Sequence, residues 1–557
     1  MKEVCRCDEG LGRVVKRVRA IVACAAFLFA LVLMGARAES KPSGRAARVR
    51  IEHGVLAGMR LGVAGGEFLG IPYAAAPVDR LRWVGPQEPA SWAGVRDATY
   101  YRPACPQLPS SWLPEMLGRT TMETSEDCLY LNVWTPRLNA RGKLPVMVWV
   151  HGGGNVEGSQ EWPPLGPALA AHGVVVVTIN YRLGVLGYLA HPELSAESAN
   201  HVSGNYGLLD QMAALRWVKR NIARFGGDAD RVTVFGQSSG SLDVCDLMAS
   251  PVARGLFQRA IMQSGVCVDG TSPTLTEQEK SGAAFAEKVL GDYRGVGGIE
   301  KMRAIDKLRA LPANELVQTA AMIGGMDWNP IVDGRVLAAQ PAEVFRRGEQ
   351  AKVPVIVGSN ADEVSIFASP LVGGKAHRPQ TVSEYRDWLN KKFGGEADAV
   401  FAAYPAARDG DVPAAFLAMD TDYNYGFGAH LLAREVTAAG ERTYLYSFTM
   451  RGQGPFAALG SFHSLECMYL SKHYWTDWVK QPGDEALSDA MIAYWTSFAR
   501  DGVPSGDGLP VWSAYREGEA EAQELGTHVG AVPVHRREKM QVFQKVLDGE
   551  IAARAAK

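Results

Sequence analysis

RVTVFGQSSGSLDVCDLMAS, residues 231–250, decides the fold. RVTVF is an apolar, β-branched run of strand length, and SLDVCDLMAS reads as the start of a helix. Between them Gly236 and Gly240 frame Ser238 in a G-x-S-x-G spacing. A strand, a sharp turn and a helix lift a serine oxygen above a sheet edge at a helix N-terminus. Glycines suit such a turn because it needs unusual φ and close backbone packing. Ser239 stands off the glycine frame, so Ser238 is the candidate nucleophile.

Working outward, VMVWV (146–150), VVVVTI (174–179), RAIMQ (259–263), VPVIV (353–357) and TYLYSF (443–448) also read as buried strands. Their near-continuous apolarity suits parallel strands covered on both faces. Helical spacing of apolar residues marks DQMAALRWVKRNIARF (210–225) and DAMIAYWTSFAR (489–500). Alternating strands and helices predict a doubly wound α/β fold, a large mostly parallel sheet with helices on both faces. The simplest organisation is one domain over residues 45–540, followed by a charged amphipathic helix at 541–557. That last helix reads as a solvated tail, with dimerisation as the competing role.

A nucleophilic serine needs donors for a developing oxyanion. His151-Gly152-Gly153-Gly154 follows VMVWV directly, where glycine-rich backbone can present N–H groups. In the strand–turn–helix arrangement the acid and then the histidine follow the serine. GSNADE places Asp362 and Glu363 after VPVIV, and GSFHSLE places His463 in the glycine-rich loop after TYLYSF. Six of the eleven histidines lie after the acid, so spacing alone does not select His463.

These residues resemble the type-B carboxylesterases, an α/β-hydrolase family that includes the cholinesterases. The likeness rests on GIPYAAAPVDRLRW (70–83), SEDCLYLNVWTP (125–136), residues 204–240, GLFQRAIMQSG (255–265), SNADE (359–363), FHSLE (462–466) and AYWTSFARDGVPS (493–505), in family order. The resemblance implies a Ser238–His463–Glu363 triad, with Glu363 rather than Asp362 at the acid position. It implies an oxyanion hole from the backbone N–H groups of Gly153, Gly154 and Ser239. It also implies long loops forming a gorge, a disulfide between Cys105 and Cys128, and ester hydrolysis through an acyl-enzyme without metal or organic cofactor. The family usually carries Glu before the serine and Ala after it, where this chain has Gln237 and Ser239. Gln237 is therefore a candidate substrate-binding residue. Removing a unit charge at ~6 Å is worth roughly 2–3 kcal/mol at an effective dielectric constant of 20. Cholinesterases also stack the choline cation on a Trp whose matching position here is about Gly118, with Trp112 out of register. Neutral or anionic esters fit these departures better than cationic ones. Some bacterial members attack bulky esters such as fumonisins, whose tricarballylate arms are anionic. Arg451, Lys472 and His473 flank His463 and could receive carboxylates, although solvated charges are their plainer reading.

The whole chain has 557 residues with 47% hydrophobic and 21% charged content, ordinary for a globular protein. Arg13, Lys16, Arg17 and Arg19, an apolar run and Ala36-Arg37-Ala38 mark residues 1–38 as a secretory signal peptide, too short in its apolar part for a span. Export to the periplasm or the medium is the expectation, without stable membrane insertion. Net charge is −2, and no basic stripe interleaves with aromatics, so nothing points to nucleic acid as partner. Cysteine spacings match no zinc pattern. Beyond residue 38 the cysteines are Cys105, Cys128, Cys245, Cys267 and Cys467. The last three read as buried thiols, with a pair among them open. Two alternatives share this pattern. An amidase or carbamate hydrolase would use the same triad, and a panel of esters and anilides separates them. A non-catalytic, neuroligin-like binding protein would have lost the nucleophile, which is present here.

Overall fold

Continuous apolar strands, covered on both faces, build the centre of this protein. The computed structural model describes residues 46–109, 122–138, 143–291, 302–324, 327–369, 378–475, 478–518 and 521–555. The expected signal peptide, Trp112 and Gly118 lie outside them. In chain order the strands are β1 (Ala47–Ile51), β2 (Gly54–Leu61), β3 (Gly65–Pro72), β4 (Val95–Asp97), β5 (Tyr130–Thr135), β6 (Leu144–Val150) and β7 (Val175–Ile179). There follow β8 (Gly227–Gln237), β9 (Arg259–Gln263), β10 (Val355–Asn360), β11 (Thr443–Phe448), β12 (Glu521–Leu525) and β13 (Val529–Pro533). They form a 13-stranded sheet in the order β1-β2-β3-β5-β7-β6-β8-β9-β10-β11-β12-β13, with β4 beside β2. From β7 across to β12 every neighbouring pair is parallel, and antiparallel pairs flank that block on both sides.

The alternation of side chains across each strand divides the interior into two cores. Val146, Val148 and Val150 of β6 face one, while Met147 and Trp149 face the other. Val175, Val177 and Ile179 of β7 divide from Val176 in the same way. The helix Tyr206–Asn221 buries Leu208, Met212, Leu215, Trp217 and Val218 against the first face. Asp484–Asp501 buries Met491, Ile492, Tyr494, Trp495 and Phe498 against the second. The fold class read from the sequence is the observed one. Boundaries moved where local chemistry decided them. β10 begins at Val355 because Pro354 has no N–H to give a ladder. The helix after the serine begins at Ser239, earlier than its apolar pattern indicates.

Two expectations are corrected. Cys245 and Cys267 are not buried thiols but a disulfide with a Cα–Cα distance of 5.5 Å. The helix after Ser238 carries Cys245, and β9 runs beside β8, so Cys267 just beyond β9 reaches it. Cys105 and Cys128 form the other disulfide, and Cys467 stays a buried thiol. The terminal helix Val542–Ala555 is not a solvated tail. Its Phe543 and Leu547 are buried, with Phe543 stacked on Tyr404 at 5.8 Å and packed against Phe393, Tyr423 and Phe427.

Each disulfide closes a loop of just over twenty residues, with sequence separations of 23 and 22. In the chain-entropy description a loop of that size stabilises by about 3 kcal/mol. Peptide mapping without reduction is expected to return both cross-links and a free Cys467. Replacing Cys245 and Cys267 together by alanine is expected to lower the unfolding free energy by about 3 kcal/mol, read from denaturant midpoints. Free thiols at 245 and 267 would refute the pairing.

Candidate active site

The candidate catalytic residues lie beyond the carboxyl ends of parallel strands, His463 in a longer loop than the others. His151 to Gly154 follow β6, Ser238 follows β8, Glu363 follows β10, and His463 follows β11. In the sheet these strands are ordered β6-β8-β9-β10-β11, so the loops share one edge.

Ser238 sits between β8 and the helix Ser239–Ala249 with φ 58° and ψ −130°. A non-glycine residue at positive φ is strained by roughly 1–3 kcal/mol, and the surroundings hold it there. Its N–H donates to the Gln263 carbonyl at 2.9 Å, and its own carbonyl accepts from Ser241 and Leu242 at 2.9 and 3.0 Å. The flanking glycines are required by contact. A Cβ on Gly236 would lie 2.4 Å from the Gly240 carbonyl oxygen, and one on Gly240 would lie 2.2 Å from that of Val150.

The glycine loop is pinned to the same turn. Gly153 has φ 113°, and a Cβ there would lie 2.1 Å from the Glu157 carbonyl oxygen. Asn155 closes the loop as a buried hub. Its backbone N–H donates to Ser239 Oγ at 3.1 Å, and its Nδ2 donates to Asp243 Oδ1 at 3.0 Å. Its Oδ1 accepts from the Tyr181 hydroxyl at 3.1 Å. Burial pushes the Asp243 carboxyl up to about 7, against hydrogen bonds from Gln211 and Asn155 that pull it down. Burial holds His151 down at about 4, so it stands neutral, stacked on Tyr181 at 4.4 Å. The Ser239 amide is the first of its helix and has no acceptor within it. Gly153 and Gly154, on the loop after β6, are the other two positions expected from the sequence to offer backbone donors.

On the other side, His463 Nδ1 lies 2.6 Å from Glu363 Oε2. Glu363 is fully buried, and its Oε1 accepts from the Asn360 N–H at 2.7 Å. A carboxylate only accepts, so the imidazole proton sits on Nδ1 and the Nε2 lone pair is free to accept. Gln237 Nε2 is 3.1 Å from that nitrogen. Gln237 is only 5% exposed and turns inward to the histidine, not outward as a substrate ligand would. The Phe367 and Tyr425 rings stand 5.2 and 5.1 Å from the imidazole. Asp362 faces elsewhere, accepting from the Ser461 N–H at 2.9 Å. Arg451 leans on Asp362 at 3.7 Å, and Lys472 bonds Asp489 at 2.5 Å, so neither charge is held ready for a substrate carboxylate.

Sequence reasoning missed a second carboxylate behind the first. Glu466 is fully buried, and its Oε2 accepts from Asn360 Nδ2 at 2.7 Å. Its Oε1 accepts from Gln263 Nε2 at 3.3 Å. Burial and the neighbouring Glu363 raise its carboxyl to about 6. Its only signal was the last letter of FHSLE. Asn155 likewise follows HGGG directly. Among the described residues, no group of His, Cys, Asp and Glu could hold a metal ion.

Comparisons with known proteins bear on this arrangement. A family model described as the carboxylesterase family matches residues 45–543. The chain is 40% identical over 474 residues to a fumonisin B1 esterase of Sphingopyxis macrogoltabida, covering 83% of this chain and 84% of that one. It is 35% identical to the para-nitrobenzyl esterase of Bacillus subtilis, covering 83% and 91%. Among solved structures, the Geobacillus stearothermophilus carboxylesterase EST55 superposes with a TM-score of 0.74 at 33% identity, covering 89% of this chain and 100% of that one. The chain belongs to the carboxylesterase family and is a carboxylic-ester hydrolase with the α/β-hydrolase fold.

Proposed function

We propose that Ser238, His463 and Glu363 perform the hydrolysis, in a protein exported with cleavage of residues 1–38. One observation carries this reading: Glu363 holds His463 Nδ1 at 2.6 Å and leaves Nε2 facing the turn that bears Ser238. His463 takes the Ser238 proton as Oγ attacks the ester carbonyl, and the backbone amides of Gly153, Gly154 and Ser239 receive the oxyanion. The alcohol leaves with that proton. Water, deprotonated by the same imidazole, then releases the acid from the acyl-enzyme. Glu363 keeps the proton on Nδ1 and stabilises the imidazolium. These steps call on no metal or organic cofactor. The two disulfides fit an oxidising compartment.

The proposed substrates are neutral or anionic esters, including bulky esters of polycarboxylic acids. Gln237 leaves no negative charge beside the nucleophile to repel an anionic acyl group, and the similarity to a fumonisin B1 esterase supports the same class. An amidase or carbamate hydrolase would use the same triad, and the panel of esters and anilides separates it from the ester reading.

Ser238→Ala is expected to lower kcat by about 10³-fold or more, as loss of a nucleophile does. Ser239→Ala removes one neutral hydrogen bond to the Asn155 amide, worth about 1 kcal/mol, so activity stays within about tenfold. An organophosphate located by peptide mass spectrometry is expected on Ser238. The reverse pattern of the two variants, or a label elsewhere, defeats the assignment.

Steady-state kinetics on size-matched esters, with and without a free carboxylate on the acyl side, test the substrate class. Values of kcat/KM for the anionic esters are expected to equal or exceed those for neutral ones. A strong preference for cationic esters would rule the class out.

A further inference from the structure

We infer that Gln237 is a positioning residue for the base: its side-chain amide donates to His463 Nε2 while the imidazole is neutral, and turns to accept from that nitrogen once the imidazole carries the Ser238 proton. The inference rests on His463 being the base. Gln237 Nε2 lies 3.1 Å from His463 Nε2, and Nδ1 is committed to Glu363 at 2.6 Å. The only hydrogen bond that fits both distances runs from the amide N–H into the Nε2 lone pair. A primary amide carries a donor and an acceptor on one planar fork, and its last torsion is broad and nearly two-fold. A half-turn therefore replaces the donor by Oε1. The carboxylate usual in this family only accepts, so it matches only the imidazolium.

The surroundings leave this amide one role. Gln237 is 5% exposed, so little water competes for it. A Cβ on Gly152 would lie 3.2 Å from Gln237 Oε1 and 2.9 Å from Ser238 Cβ, so the amide stands between the base and the oxyanion loop. The titratable groups facing His463 are Glu363, Glu466 on the helix Leu465–Ser471, and Tyr425 on the turn Asp422–Gly426. Glu363 is committed to Nδ1 and Glu466 to Asn360 and Gln263, so among the described residues the amide is the group within hydrogen-bond distance of Nε2.

The step balances without the amide losing a proton. The Ser238 O–H bond breaks as Oγ joins the acyl carbon, and the proton moves to Nε2. For that transfer the Gln237 N–H bond to Nε2 is given up first, which frees the single lone pair of that nitrogen, and Oε1 then accepts from the new Nε2–H. When the alkoxide leaves it takes that proton, and the amide turns back. With a neutral partner the imidazolium is held less tightly than a carboxylate would hold it, so it passes its proton on more readily.

The test is the pH dependence of kcat/KM on a neutral aryl ester for the full chain, Gln237→Glu and Gln237→Met. A carboxylate at this position stabilises the imidazolium, so the base stays protonated to higher pH. The acid limb of Gln237→Glu is therefore expected to move to higher pH by about 1–3 units, the range for an opposite charge in contact. Gln237→Met keeps the length and removes donor and acceptor, so kcat is expected to fall about tenfold with KM little changed. Adding Gln237→Glu to Glu466→Gln is expected to give the same displacement, which separates the effect from ionisation of Glu466. If folded Gln237→Glu still takes the organophosphate on Ser238 and keeps the original limb, the role of Gln237 is overturned and the triad stands. If Gln237→Glu does not fold, unchanged kcat in Gln237→Met overturns it equally. Failure of the unaltered protein to label on Ser238 removes the triad reading itself.

Discussion

The close passage of the nucleophile turn against the end of β6 is the constraint on which the site depends. β6 and β8 are parallel and in register, with Val150 opposite Gly236. At that point backbone meets backbone so tightly that a methyl group at 236 or 240 has no room. The approach puts Ser238 at positive φ and brings its helix N-terminus beside the loop that follows β6. Ser238 and the loop after β6 are thus held beside one another by two paired strands. Strain of a few kcal/mol at one residue is affordable in a sheet buried on both faces.

The two departures in GQSSG share one character. Both side chains turn inward, Ser239 to the loop after β6 and Gln237 to the imidazole. Their magnitudes differ. A neutral hydrogen bond contributes about 1 kcal/mol net. A unit charge in contact with an imidazolium acts with about 4 kcal/mol at 4 Å and an effective dielectric constant of 20. The serine adds a local clamp, whereas the glutamine changes the charge beside the His463 imidazole. The second effect is the larger.

Much of this was legible in the chain because it is local. The strand, turn and helix around Ser238 are contiguous, HGGG ends its own strand, and the sheet follows from continuous apolar runs. The pairings that sequence could not supply join distant segments. Asn155 meets Asp243 across 88 residues, Asn360 meets Glu466 across 106, and Gln237 meets His463 across 226. Each depends on strand order and register, which no local pattern encodes. The Cys245–Cys267 bond escaped for the same reason, although only 22 residues separate the two. The terminal helix was misjudged because its charges dominate its composition, while Phe543 and Leu547 decide its packing.

The charge balance around the imidazole bears on the neutral residue at 237. Glu363 and Glu466 are both fully buried and are bridged by Asn360, which gives its N–H to one and its side-chain amide to the other. Burial first, and the neighbouring Glu363 second, raise the Glu466 carboxyl to about 6. A third carboxylate, in contact with the imidazole, would add to their charge and favour the protonated histidine. It could be accommodated by protonating Glu466, which would put a proton where Asn360 and Gln263 now donate. The neutral amide avoids that conflict. It leaves Glu363 as the carboxylate in contact with the imidazole, at Nδ1, and a neutral amide in contact at Nε2.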